Sequence, residues 1–119
     1  MEKMIFTAEE NSFIVEAEGK KLRVSYDEFC GNHEDAMKFC KEYGGGDETV
    51  ENMRFIAKYR DDINKELEKL DKDIIESWHW TNEMSWRDGI FAFVVYTYRG
   101  NVHDVYRNSS YYARAVSAL

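Results

Sequence analysis

Residues Ile90–Arg107 read IFAFVVYTYRGNVHDVYR, and this stretch decides the fold class. Ile90 to Tyr98 is β-branched and aromatic throughout, as in a strand buried on much of both faces. Arg99, Gly100 and Asn101 supply turn chemistry, so Val102 to Arg107 is expected to return as an antiparallel partner. Upstream, Ile75 to Trp80 alternates apolar and polar residues at strand period. Downstream, Tyr111 to Val116 predicts a last strand.

Toward the N-terminus the period changes. Val50, Met53, Ile56, Ala57, Ile63, Leu67 and Leu70 form one apolar stripe at helical spacing, which predicts a single helix from about Thr49 to Leu70. Asn32 to Tyr43 predicts a shorter helix, started by Asn32 or His33, with Glu34 and Asp35 at the positive end of its dipole and Ala36, Met37, Cys40 and Tyr43 facing the core. Gly44, Gly45 and Gly46 stop it. They are not read as a phosphate loop, because no Gly-Lys-Ser/Thr follows and Asp47 and Glu48 would repel phosphate. Phe13–Ala17 and Leu22–Tyr26 predict a hairpin about Glu18, Gly19 and Lys20. The expected architecture is α+β, with two helices packed on a twisted, mainly antiparallel sheet in one domain, 1–119.

Composition narrows the function. The chain has 119 residues, a net charge of −7, no proline and two cysteines. An acidic balance argues against a nucleic-acid partner. Two cysteines cannot make a disulfide-rich scaffold. No apolar run approaches the roughly 20 residues that cross a bilayer, and the start has no long apolar h-region. The expectation is a protein without membrane insertion or signal peptide, cytoplasmic as synthesised. The charge is unevenly spread. Residues 1–76 hold 12 Lys and Arg against 20 Asp and Glu, whereas residues 77–119 hold 4 against 3, with all three Trp. The acidic front reads as scaffold and the aromatic back as core plus display surface.

Catalytic signals are missing. His33, His79 and His103 lie in no ligand-spaced motif, so no metal is expected. His79 reads as a strand residue facing opposite to Trp78 and Trp80. Cys40 reads as a small buried hydrophobe. No Ser or Cys lies in a nucleophile elbow. Neither an enzyme nor a cofactor is expected. Trp78, Trp80, Phe91 and Phe93 read as core. His103, Asp104, Tyr106, Arg107 and Asn108 are too polar to be buried together, and they are of types enriched in recognition surfaces.

The order of short motifs from Trp80 to Val116 adds a resemblance. Trp80, Thr81 and Glu83, then Ala92 and Phe93, then Gly100, Asn101 and Val102, then Tyr111, Tyr112, Arg114, Ala115 and Val116 resemble the C-terminal part of small bacterial and phage proteins with a C-type lectin-like fold. These include relatives of formylglycine-generating enzymes and the target proteins of diversity-generating retroelements. The resemblance implies a non-enzymatic, calcium-independent binding module. The Glu-Pro-Asn and Trp-Asn-Asp motifs of calcium-dependent sugar binding are absent, and no Cys follows Cys40 to serve as the enzyme branch requires. Positions that a retroelement would rewrite correspond to Val94, Tyr96, Tyr98, Arg99, His103, Asp104, Val105, Tyr106, Arg107 and Asn108. The implied ligand-binding set is Trp86, Arg87, Asp88, Tyr96, Tyr98, Arg99, His103, Asp104, Tyr106, Arg107 and Asn108. Its expected partner is a protein or surface macromolecule, met by a monomer or small homo-oligomer. The alternative is a phage or mobile-element assembly protein, virion-associated, that uses the aromatic face as a subunit interface.

Overall fold

The computed structural model describes residues 3–85 and 89–119. In chain order the first elements are β1 (Ile5–Ala8), β2 (Ser12–Ala17), β3 (Lys20–Ser25), β4 (Phe29–Gly31) and α1 (His33–Glu42). Then come α2 (Val50–Lys58), α3 (Arg60–Lys69) and β5 (Trp78–Met84). The chain closes with β6 (Phe91–Tyr96), β7 (Val102–Tyr106), β8 (Tyr111–Ala113) and β9 (Val116–Ala118). One sheet has the order β1-β2-β3-β9 and the other β4-β8-β5-β6-β7. All pairs are antiparallel except β5 with β8.

Local chemistry explains several elements directly. Glu18 and Gly19 both have positive φ, 55° and 74°, which suits a two-residue hairpin turn between β2 and β3. Asn32 caps α1 through its side chain on the Asp35 N–H, and Thr49 caps α2 on the Asn52 N–H. After α1 the glycine segment folds against the sheet. There Glu48 accepts from the Gly46 and Val116 N–H groups, and Asp47 accepts from the Ala118 N–H. Loop carboxylates thus complete the edge of β9, the kind of edge that otherwise invites pairing with another chain.

Four expectations need correction. The single helix over Thr49–Leu70 is two helices, so three helices pack on the sheets rather than two. The break is at Tyr59, which leaves helical geometry with φ −104° and ψ 13°. Its buried side chain is tied by the hydroxyl to Glu18 in the β2–β3 turn. The apolar stripe runs through the break because both helices bury into one cluster. Second, the strand expected over Ile75–Trp80 begins at Trp78 and continues to Met84. Ile75 instead exchanges two backbone hydrogen bonds with the buried amide of Asn64, at 2.8 Å each. Third, Tyr111–Val116 is not one strand, because β8 and β9 belong to different sheets. Fourth, there are therefore two sheets and not one. The short strands β1 and β4 carry too little pattern to be expected.

The core has two parts. β2, β3 and β9 pack with α2, α3 and Val95 of β6. On the other side, α1 packs through Ala36 and Cys40 on Trp80, Ala92, Val94 and Ala113. The second sheet is thus held between α1 on one face and α2 on the other.

The two sheets are joined where the chain crosses between them twice, at 26–28 and at 114–115. The crossings are laced together. Ser25 N–H donates to the Ala115 carbonyl at 3.0 Å, and Ala115 N–H donates to Ser25 Oγ at 3.0 Å. Arg114 sits between them, 1% exposed. Its Nε donates to Glu28 at 3.0 Å, and its Nη1 to the Ser25 and Tyr26 carbonyls. Its Nη2 donates to the carbonyls of Asp73 and Ile74 after α3. A single guanidinium thereby satisfies backbone carbonyls from two segments and the Glu28 carboxylate, which lysine's compact ammonium could not do.

Removing that group leaves four carbonyls without this donor and leaves Glu28 without its countercharge, with the His79 hydrogen bond remaining. Arg114→Met is expected to lose about 3–5 kcal/mol in urea denaturation. Arg23→Met, which breaks the exposed Arg23–Glu9 pair, should cost within about 1 kcal/mol. Equal losses in the two variants would contradict the clamp role of Arg114.

Candidate functional site

Strand register builds the candidate site. Trp78 lies opposite Tyr96 and Trp80 opposite Val94, while Val94 also faces His103 and Ala92 faces Val105. Because side chains alternate along a strand, all of these share one face of the second sheet with Tyr111 and Ala113. α1 covers half of that face. The other half is an open hollow of about 200 Å³ lined by Trp78, Val94, His103, Val105 and Tyr111.

The hollow is aromatic and braced. Trp78 stacks on Tyr96 with ring centroids 4.8 Å apart, and His103 meets Trp78 edge-on at 5.0 Å. Tyr111 stands at 89° to the buried Trp80, 5.2 Å away, and the Trp80 indole N–H donates to the Gly31 carbonyl at 2.8 Å. At the β6–β7 turn, Tyr98 lies 5.4 Å from Tyr96 and carries the Arg60 guanidinium 3.8 Å over its ring. Such ring pairs add about 0.5–1.5 kcal/mol each beyond burial and hold the rings in defined positions.

The sequence-predicted residues divide among several places. Tyr96, Tyr98 and His103 gather at the hollow and its rim. Arg99 is exposed on the turn, and Asn108 is exposed in the turn after β7. Alternation sends Asp104 and Tyr106 to the opposite face, where Tyr106 packs on Phe91 at 4.6 Å and Asp104 accepts from Ser85 Oγ at 3.0 Å. Arg107 is half-buried and committed inward. Its Nε donates to His33 Nδ1 at 3.3 Å, and its carbonyl accepts from the His33 backbone N–H at 2.9 Å. Trp86, Arg87 and Asp88 lie outside the described residues. Trp78, Phe91 and Phe93, expected in the core, are only half-buried, and Trp78 lines the hollow. Tyr111 and Val105 complete it. The shared parity of Trp78 and Trp80 on one strand was the available signal; the pairing register was not readable.

Two buried histidines underlie this region. The His33 Nε2 donates to the Thr81 carbonyl at 2.8 Å, which leaves Nδ1 as the acceptor for Arg107. Burial, and then the Arg107 charge, push its pKa below the usual histidine value, although the Thr81 bond opposes them. His79 is fully buried and faces away from the hollow, with Nε2 3.1 Å from Glu28. Burial pushes its pKa down too, against the pull of Glu28. Burial alone would raise Glu28, but the hydrogen bond from His79 and the Arg114 charge hold it below the ordinary carboxylate value. Burial raises both Glu48 and the Cys40 thiol. These groups are built into the scaffold.

Among the described residues no three His, Cys, Asp or Glu side chains gather as a metal site, and no helix is long and apolar enough to cross a membrane. Compared with models of known protein families, with curated proteins and with solved structures, the chain matches none.

Neutral buried histidines carry a pH signature. Below the ordinary histidine pKa the unfolded chain binds protons that the folded chain refuses, so stability falls as pH falls. The melting temperature should drop between about pH 7 and about pH 5. Loss of Glu28 stabilisation belongs to still lower pH, and raised Glu48 contributes with the opposite sign. His33→Gln should melt lower at neutral pH but with a shallower pH dependence. An unchanged slope in scanning calorimetry would mean that His33 is not held neutral.

Proposed function

We propose that the protein is a non-enzymatic ligand-binding module of C-type lectin-like fold, with recognition carried by the open aromatic face of the second sheet and the turns at its rim. The observation that carries this reading is the hollow itself. Trp78, Tyr96, His103 and Tyr111 form a preformed aromatic surface, with exposed Tyr98 next to Tyr96 and with Arg99 and Asn108 exposed on the turns before and after β7. Rigid aromatic rings give contact area at low entropic cost, and neighbouring polar groups set specificity.

A division of labour among the motif residues supports the same reading. Trp80 is sealed in the core, Thr81 Oγ1 donates to the Phe93 carbonyl, and Glu83 accepts from the Val50 N–H at the start of α2. Gly100 has φ 77°, which the β6–β7 turn requires, and Arg114 joins the sheets. The motif residues thus hold the scaffold. Many of the residues between them face solvent, as a surface open to sequence variation needs.

The hollow is smaller and shallower than the roughly 300–1,000 Å³ of small-molecule sites, which favours a protein or surface macromolecule as ligand. Diversification by a retroelement is the origin of the variable-type surface on this reading. The second reading, a permanent subunit interface in a phage or mobile-element assembly, draws on Tyr98 at 50% and Tyr106 at 56% exposure. It requires a stable oligomer in sedimentation at low protein concentration.

A combined variant, Arg99→Ala with Asn108→Ala, should melt within about 3 °C of the parent, since exposed positions outside the ring contacts carry little stability. A yeast-displayed library randomised at Tyr98, Arg99, His103 and Asn108 should remain mostly folded and yield binders to a test protein such as lysozyme. A library in which most members unfold, or from which no binder emerges, would overturn the display reading.

A further inference from the structure

A second surface lies on the far side of the β6–β7 turn. There α2 and the β2–β3 turn enclose a groove of about 600 Å³, with Arg54 and Phe55 of α2 and Tyr98, Arg99 and Gly100 of the turn in its lining. The groove carries four cations, Lys20, Arg54, Lys58 and Arg99, against two acids, Glu18 and Glu51. This is a local excess of positive charge on a chain whose net charge is −7.

The lysines are already spoken for. Lys58 donates to Glu18 at 2.6 Å, and Lys20 donates to Asn52 at 2.7 Å with Glu51 at 3.5 Å. Arg54 and Arg99 are different: among the described residues neither has an ion pair or a side-chain hydrogen bond. They come from separate elements and meet at one groove. The Arg54 Nε lies only 3.7 Å from where a Cβ would stand on Gly100, so the turn backbone runs directly beside this guanidinium. The aromatic wall is fixed as well, because Arg60 stacks on Tyr98.

We infer that this groove binds the carboxylates of an acidic protein segment, with Arg54 and Arg99 as the recognising pair and Tyr98 and Phe55 as the apolar wall for a neighbouring side chain. Two guanidinium forks match carboxylate geometry and form stronger bonds than neutral donors do. The groove is far larger than one small ion needs and falls in the size range of organic ligand sites. Glu18 and Glu51 in its lining, and the acidic chain around it, disfavour a polyphosphate backbone, which is held by neutralising many phosphates in a row. A discrete pair of carboxylates beside an aromatic or apolar residue fits the charge and the wall together. Tyr98 and Arg99 serve both surfaces, whereas Arg54 and Phe55 belong to the groove alone, so the Arg54 variant separates this inference from the reading of the hollow.

The test is an array of immobilised heptapeptides with two acidic positions around one aromatic residue, probed with labelled full-length protein. Matched arrays replace the acids by Gln and Asn, or supply phosphoserine, and a single-stranded oligonucleotide is included. Binding is expected to the acidic peptides, to weaken in high salt, and to vanish on the amide controls. Arg54→Gln and Arg99→Gln should each weaken the best peptide about tenfold in fluorescence anisotropy, with melting temperatures unchanged. His103→Ala, at an exposed residue of the hollow that is not in the groove lining, should leave this binding intact. Absence of acid-dependent binding, equal affinity for the amide peptides, full affinity in both arginine variants, or preference for the phosphopeptide or oligonucleotide would each overturn the inference.

Discussion

The buried guanidinium of Arg114 is the interaction on which the rest of the structure depends. Two sheets that share no hydrogen-bonded strand pair are joined where the chain crosses between them, with Val95 of the second packed into the core of the first, and both crossings converge on this side chain. A charge taken out of water costs several kcal/mol unless it is paired and its protons are satisfied. Arg114 meets both conditions through Glu28 and four backbone carbonyls. His79 then shares Glu28 with it and stays neutral, so the buried cluster balances one cation against one carboxylate.

What the clamp makes possible is a stiff second sheet. β8 enters that sheet immediately before Arg114, and β5, β6 and β7 extend from it. α1 and α2 cover opposite faces but leave the end with Trp78, Tyr96 and His103 open. The hollow and the groove proposed as recognition surfaces both border the β6–β7 turn, one on each side of Tyr98. That ring is held between Tyr96 and Arg60, so the two surfaces share a fixed wall. The acidic front of the chain supplies the helices and carboxylates that hold this frame, and the near-neutral back supplies what the frame presents.

Much of the frame was readable from local chemistry. The β2–β3 hairpin, the Asn32 cap and the pairing of β6 with β7 about Gly100 follow from residues within a few positions of one another. The missed features depend on distant partners. Tyr59 breaks the long helix because of Glu18, 41 positions away, and Arg114 parts β8 from β9 because its partners lie 40 to 89 positions upstream. At the candidate site, the exposure of Arg99, His103, Tyr106 and Asn108 followed from polarity and turn context, whereas Tyr98 read as the end of a buried strand and is half exposed. Arg107 did not behave as expected, since His33, 74 positions away, draws it inward. Trp78 looked like core because periodicity reports a shared strand face, and not whether a helix covers it.

Native-state hydrogen exchange tests the central claim, that one clamp makes both sheets a single cooperative unit beneath the hollow and the groove. The Val15 and Val24 amides of the first sheet and the Val94 and Trp80 amides of the second should exchange through the same global opening. Their free energies should then be equal and rise and fall together with denaturant. A first sheet that opens at a distinctly lower free energy, with the second still protected, would contradict it.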